Sequence, residues 1–160
     1  MTLSAAPFQS QPMAIEKDWI DYNGHLNMAY YNVLFDRGAD AFFERLGLGP
    51  DYLTQRNHTF YTAEAHVRYV QELHLGHEVR ASMRIIDLDE KRIHAYAELH
   101  HVEGWLAATC ETMSLHIDMS GPRVAPFPED VFASLKQQFK HDSQLERPHA
   151  MGHPIGIRRK

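Results

Sequence analysis

The hydropathy of this chain changes period once, and that change restricts the possible folds more than any other feature of the sequence. From Met28 to Leu48 the apolar positions Tyr31, Leu34, Phe35, Gly38, Phe42 and Leu46 recur at helical spacing. Asn32, Asp36, Asp40 and Glu44 form the opposing stripe in steps of four. Asn27 is placed to cap this helix, and Gly47 with Gly49-Pro50 to stop it. From Phe60 onward the period is two. Ala63, Ala65, Val67 and Tyr69 alternate with Glu64, His66 and Arg68. Val79, Ala81, Met83 and Ile85 alternate with Arg80, Ser82 and Arg84 in a second run, and Ile93, Ala95, Ala97 and Leu99 mark a third. Leu106 to Asp118 is the fourth. Breaks at Leu75-Gly76-His77, Asp89-Glu90-Lys91 and Glu103-Gly104 suit antiparallel connections. Phe8 to Ile15 reads as a short edge strand and Asp51 to Asn57 as a helical turn or loop. Pro128-Glu129-Asp130 opens a shorter helix carrying Val131, Phe132, Leu135 and Phe139.

One long helix followed by a meander of strands is an α+β pattern. The expected architecture is a long central helix wrapped by a curved antiparallel sheet of about five to six strands, because this helix is too apolar to be covered on one side only. Gly38, mid-helix on the apolar stripe, costs roughly 1 kcal/mol relative to Ala unless something packs closely against it. A sheet of this kind keeps free edges and a second face, so self-association is expected. A length of 160 residues suits one domain, taken here as residues 1–145, with 146–160 as a C-terminal tail.

Composition removes several classes of function. Sixteen Lys+Arg against 21 Asp+Glu give a net charge of −5, without the concentrated basic surface that nucleic-acid binding requires. No apolar run approaches the roughly 18–20 residues that span a bilayer. Met1 to Pro12 has neither the basic nor the apolar region of a secretory leader. The single cysteine, Cys110, forms no internal disulfide, and its small strand neighbours make it a packed core thiol rather than a nucleophile. The expectation is a soluble, cytoplasmic protein with no nucleic-acid or membrane partner. Twelve histidines are the one oddity. His94, His100 and His101 fall on one strand, and His74 and His77 flank a turn. No HExxH or paired-Cys spacing is present, so no metal site is expected.

The densest chemistry lies in Asp21-Tyr22-Asn23-Gly24-His25-Leu26-Asn27, immediately before the long helix. A helix N-terminus offers unpaired N–H groups and partial positive charge, which can hold a carbonyl oxygen as it becomes an oxyanion. Asp21 can attack or activate water, His25 can move a proton or position a carbonyl, and Asn23 or Asn27 can orient water. Gly24 lets backbone approach a ligand. The same residues are also ordinary turn and capping residues, so composition leaves both readings open.

The string Asp21-x-Asn23-x-His25-x-Asn27, with Tyr31 four residues on, resembles the signature of hotdog-fold thioesterases. The likeness is to the 4-hydroxybenzoyl-CoA thioesterase-like and plant acyl-ACP thioesterase branch. Downstream, Phe60 to Arg68, the Glu72-to-Gly76 turn, Lys91 to His94, and Leu106 to Asp118 are similar to the betainyl-CoA thioesterases of carnitine degradation. The likeness covers roughly residues 10 to 128. It implies a hotdog fold, a homodimer or dimer-based tetramer, and hydrolysis of an acyl-CoA without metal or redox cofactor. It implies Asp21 as the catalytic carboxylate, nucleophile or general base, with Asn23, His25 and Asn27 in the catalytic group. A CoA substrate calls for cations at its phosphates, and Arg123, Arg158 and Arg159 are the candidates, with Arg80, Arg84 and Lys160 in reserve. A betainyl group calls for aromatic faces around a quaternary ammonium. Trp19, Tyr22, Tyr30, Tyr31, Tyr61 and Trp105 are available, with Gly24 and Glu64 also lining the substrate. Glu64, His66 and Arg68 share a strand face that is solvated, subunit-facing or directed at the thioester. A non-catalytic acyl-CoA sensor and a dehydratase are the competing functions on such a fold.

Overall fold

The long helix expected from the sequence is α1, Met28–Arg45, in a computed structural model that describes residues 6–159. Asn27 caps it, its Oδ1 accepting the Ala29 N–H at 2.9 Å. Helical geometry ends near Leu46 because Gly47 turns left-handed, with φ of +83°. Two short strands, β1 (Phe8–Gln9) and β2 (Met13–Ala14), and a 3-10 turn over Lys17–Trp19 precede α1. After it come α2 (Pro50–Arg56), β3 (His58–Tyr69), β4 (Glu78–Leu88), β5 (Arg92–His101), β6 (Leu106–Asp118), β7 (Arg123–Val124) and α3 (Glu129–Asp142).

The strands make one antiparallel sheet ordered β1-β4-β5-β6-β3, with β2 also on β4 and β7 on β6. It holds seven strands rather than five to six. The expected edge strand is broken around Pro12, which has no N–H for the ladder, and a two-residue strand after Gly121-Pro122 returns to Ile117 and Asp118. The helix and sheet together form the hotdog architecture.

Side-chain ranks run across the face that meets α1: Ala81 beside Leu99 and Ala108, and Met83 beside Ala97 and Cys110. All six are buried. The small members of these ranks allow close approach, and Gly38 uses it against Ala81. Tyr31, Leu34, Phe35, Phe42 and Phe43 of α1 complete the core. In β3 the register slips between Thr62 and Glu64, leaving Ala63 as the extra residue of a bulge rather than a core-facing position. Phe60, Thr62 and Ala65 border the helix, whereas Glu64 and His66 open onto the other face.

The two faces are finished differently. The outer face receives the segment expected to be a tail. Arg84 donates to the Glu146 carbonyl at 2.8 Å, the Gly152 N–H donates to Glu111 Oε2 at 2.8 Å, and Met151 is buried. Along β4, the carboxylate of Asp142 at the end of α3 accepts the Ile85 N–H at 2.8 Å, where β4 has outrun its short neighbours. The long edge of β3, opposite its pairing with β6, has no strand beside it among the described residues. A groove of about 410 Å³ runs between that strand and α1.

Candidate active site

The segment ahead of α1 is a tight loop, pinned on all sides. Ile20 and Leu26 pair across its neck, Asp21 N–H donates to the His25 carbonyl at 3.1 Å, and Asn27 N–H donates to the Trp19 carbonyl at 2.9 Å. The turn closes by Gly24 N–H on the Asp21 carbonyl at 3.0 Å, with Gly24 at φ +82°, a conformation that favours glycine. Leu26, fully buried, donates its N–H to the Leu73 carbonyl at 2.7 Å, which ties the loop to the connection between β3 and β4.

The pinning leaves one carboxylate oxygen unengaged. Asp21 Oδ1 accepts the Asn23 N–H at 2.8 Å, an Asx turn, while Oδ2 has no partner among the described residues. Asp21 opens into a cleft of about 460 Å³ that Tyr22, Asn23, His25, Asn27, Met28 and Tyr31 also line. The backbone of α1 supplies a donor to the same cleft. Asn27 Oδ1 takes the Ala29 N–H and the Asn27 carbonyl takes that of Tyr30, but the Met28 N–H has no acceptor among the described residues. Asp21, with one carboxylate oxygen unengaged, and Met28, the first residue of α1 with its N–H unengaged, therefore line one cavity.

His25 stands with Nδ1 3.3 Å from the Leu26 carbonyl and Nε2 3.8 Å from Glu72. Tyr31 is buried, and its hydroxyl accepts the Leu73 N–H at 3.2 Å; burial pushes its pKa up, so it keeps its proton at neutral pH. Tyr69, whose hydroxyl donates to the Met28 carbonyl at 3.1 Å, closes the cleft from the end of β3. Met28, Tyr69, Gln71 and Glu72 belong to the cavity without having been legible as site residues. Only the helix N-terminus carried a signal, through the capping Asn27.

Other expected residues stand elsewhere. Glu64 lies on the opposite face of the sheet with His66, His94 and Glu111, because the bulge at Ala63 fixes its side chain outward. Trp19 is buried, stacked on Tyr30 at 5.5 Å, and Arg37 occupies its other neighbourhood at 4.9 Å. Its ring face already has a cation. Trp105 is stacked on His101 at 4.6 Å. Tyr61 and Arg123 lie toward the His58 end of the sheet, Tyr61 roughly 26 Å of strand from Tyr69 and Arg123 roughly 35 Å. There Tyr61 meets the Met119 sulfur and Arg123 pairs with Asp118 at 3.2 Å. Arg158 is exposed against His153 at 3.4 Å and Arg159 is exposed, while Lys160 falls outside the described residues. Within one chain none of Arg123, Arg158 and Arg159 lines the cleft. Among the described residues no group of three His, Cys, Asp or Glu side chains converges as metal ligands, and no helix is long and apolar enough to cross a membrane.

The family description "Thioesterase-like superfamily" matches residues 15–135. The betainyl-CoA thioesterase of Pseudomonas aeruginosa is 32% identical over 141 residues, covering 88% of this chain and 89% of that protein. The L-carnitine dehydrogenase/betainyl-CoA thioesterase of Rhizobium meliloti is 31% identical over 157 residues. That match takes in 98% of this chain but only 32% of the relative, so this chain spans about a third of the two-activity protein. A Staphylococcus aureus protein solved in complex with CoA superposes with a TM-score of 0.90 at 28% identity, covering 99% of both chains. The chain belongs to the thioesterase-like superfamily and has its hotdog fold.

Proposed function

We propose that the protein hydrolyses an acyl-CoA thioester in the cleft before α1, with Asp21 as the essential carboxylate and betainyl-CoA as the substrate. The observation that carries this reading is the pairing, in one cavity, of the unengaged Asp21 Oδ2 with the unengaged Met28 N–H. The thioester carbonyl oxygen lies on that amide, where the partial positive charge of the helix stabilises the tetrahedral oxyanion. Asp21 Oδ2 either attacks the carbonyl carbon or takes the proton of a water that does so. In both routes the C–S bond then breaks and the electron pair leaves on sulfur; after direct attack, water cleaves the resulting acyl–Asp21 anhydride, giving the free acid and restoring the carboxylate. Asn23 and His25 border the attacking side. Asn27 acts by capping the helix and freeing Met28. No metal or redox group enters the reaction.

Three further features support the finer points. The relatives' names supply the betainyl group, and the groove beside the cleft suits its charge. Asn32, Asp36 and Asp40 border it above a floor that includes Met83, Ala97 and Cys110. Burial, then the charges of Asp36 and Glu44, raises the pKa of Asp40, which makes that carboxylate receptive to a cation. The free edge of β3 supports a homodimer, the unit from which a tetramer would be built. Antiparallel pairing of two copies sets the His58 end of one strand beside the Tyr69 end of the other. Tyr61 and Arg123 would then come to each cleft from the second copy, Arg123 toward the CoA phosphates; Arg158 and Arg159 are the remaining candidates for that role.

The test is Asp21→Asn, assayed for thiol release from betainyl-CoA. The expected result is a folded protein whose turnover falls by at least about 100-fold. Retained turnover removes Asp21 from the role, and acyl-CoA binding by the unaltered protein without any thiol release points to a sensor. Single turnover in 18O-labelled water separates the two routes, since only direct attack leaves label in the Asp21 carboxylate.

A further inference from the structure

In a betainyl thioester the trimethylammonium nitrogen is one methylene from the carbonyl carbon, a separation of about 2.5 Å. Whatever touches that charge lies in the contact layer around the reacting carbonyl. With the carbonyl oxygen on the Met28 N–H, this layer is the wall of the cleft. Asp36 of the acidic groove stands eight residues beyond Met28, about 12 Å along the helix, so its carboxylate draws the cation from outside the layer.

The wall of the cleft is rich in tyrosine. Tyr69 donates its hydroxyl to the Met28 carbonyl at 3.1 Å, which anchors this ring to the residue that holds the oxyanion. Tyr31 meets Tyr69 with centroids 5.0 Å apart and planes at 81°, so the two rings form adjoining walls of a corner. The Leu73 N–H, donating to the Tyr31 hydroxyl at 3.2 Å, fixes the second wall. Tyr31 is buried and Tyr69 is 44% exposed, so Tyr69 is the ring presented to an entering group. Tyr22, 98% exposed on the Asp21 loop, lines the same cleft.

The chemistry of the cation fits this corner. A quaternary ammonium has no N–H to donate, so aromatic faces within about 6 Å and nearby negative charge are what can hold it. Asp21 and Glu72 line the cleft, and apart from His25 its lining includes no basic side chain among the described residues. The tryptophan rings are engaged elsewhere, Trp19 with Arg37 and Trp105 with His101.

We propose that Tyr69 determines the acyl specificity, its ring holding the trimethylammonium beside the Met28 amide, with Tyr31 and Tyr22 as the further walls. The corner then reads where the charge sits along the acyl group. In a 4-trimethylammoniobutyryl thioester the nitrogen is about 5 Å from the carbonyl carbon and passes beyond it. The selected class is therefore acyl groups with a quaternary ammonium on the α-carbon. This selection rests on the hydrolytic reading of the cleft and names the contact that chooses its substrate.

The test replaces Tyr69 with phenylalanine carrying no, one, two or three ring fluorines, which keeps the shape while draining negative potential from the ring face. The first readout is kcat/KM for betainyl-CoA divided by that for the neutral 3,3-dimethylbutyryl-CoA. The second is the binding preference, by calorimetry, for the thioether S-(2-trimethylammonioethyl)-CoA over S-(3,3-dimethylbutyl)-CoA, neither of which can be hydrolysed. Both preferences for the cation are expected to fall stepwise, by about tenfold from the unfluorinated to the trifluorinated ring. Tyr69→Leu is expected to match the trifluorinated variant. A flat series overturns the proposal, and so does an equal loss on charged and neutral ligands. If the unaltered protein releases no thiol from any acyl-CoA, the hydrolytic reading fails. The thioether preference still reports whether Tyr69 holds the cation.

Discussion

Gly38 of α1 lies so close to Ala81 of β4 that a Cβ built on the glycine would stand 2.4 Å from the alanine Cβ. Helix and sheet therefore meet with no side chain between them at this point. On an exposed helix, replacing the glycine with alanine would stabilise by roughly 1 kcal/mol. Here that gain is outweighed by overpacking, which costs roughly 1–3 kcal/mol when neither partner can move aside. Gly38→Ala is expected to lower the urea midpoint, with a net loss of up to about 2 kcal/mol. The double variant Gly38→Ala with Ala81→Gly is expected to show a favourable coupling. A midpoint that rises in the single variant would mean that the sheet yields.

The acidic groove makes a prediction about substrate choice. Asp36→Asn and Asp40→Asn are each expected to lower kcat/KM for betainyl-CoA by about fivefold, the size of one partly screened ion pair. The rate on 3,3-dimethylbutyryl-CoA, a neutral acyl group of the same shape, is expected to stay level. Equal losses on both substrates would assign the two aspartates to structure instead.

Acid stability follows from three groups. Hydrogen bonds from Ser120 hold the Asp118 carboxyl down at about 2, and the Arg56 guanidinium holds Asp130 at about 2. Their contributions are present above the ordinary carboxylate value of 3.8 and are lost as pH falls toward 2. His116, fully buried between the Tyr52 hydroxyl at 2.7 Å and the Ala125 carbonyl at 2.7 Å, has its pKa lowered by burial. It stabilises the fold as a neutral ring, so its contribution is present above pH 6.5 and declines below it. Thermal melts are expected to show two descending stages, and His116→Gln to shrink the earlier one, to which His77, also lowered by burial, contributes.

The alkaline side has the opposite sign. Burial pushes the Cys110 thiol up to about 11 and the Tyr52 phenol up to about 12. Groups raised in the folded state stabilise it fully below their unfolded values of 9.0 and 10.0, and lose that contribution as pH climbs through the folded ones. Cys110 is thus expected to resist a thiol-disulfide reagent at pH 8 and to react on unfolding in urea. Prompt labelling of the native protein would contradict its burial.

The open edge of β3 predicts association. Sedimentation of the 18.5 kDa chain is expected to give at least twice that mass. Thr62→Lys, which puts a charge on the open strand at the border of the groove, is expected to produce monomers. Monomers of full activity would show that each cleft is complete in one chain.

Much of this architecture could be read from the order of residues alone. The 3.6-residue period of Tyr31, Leu34, Phe35, Gly38 and Phe42, capped by Asn27, fixed α1 because local spacing decides which side of a helix is apolar. Period-two runs gave the four long strands, and the Asp21–Asn27 string located the cleft. Distance along the chain could not decide the rest. The bulge at Ala63 turned Glu64 away from the cleft, because one inserted residue changes which face the next side chain takes. Arg37 settled over Trp19 when the turn before α1 folded back along the helix, and Glu72 reached His25 across 47 positions of sequence when the β3–β4 connection met the loop. Spacing determines what each element can bury, whereas the meeting of charged side chains from separate elements is decided only by how those elements pack.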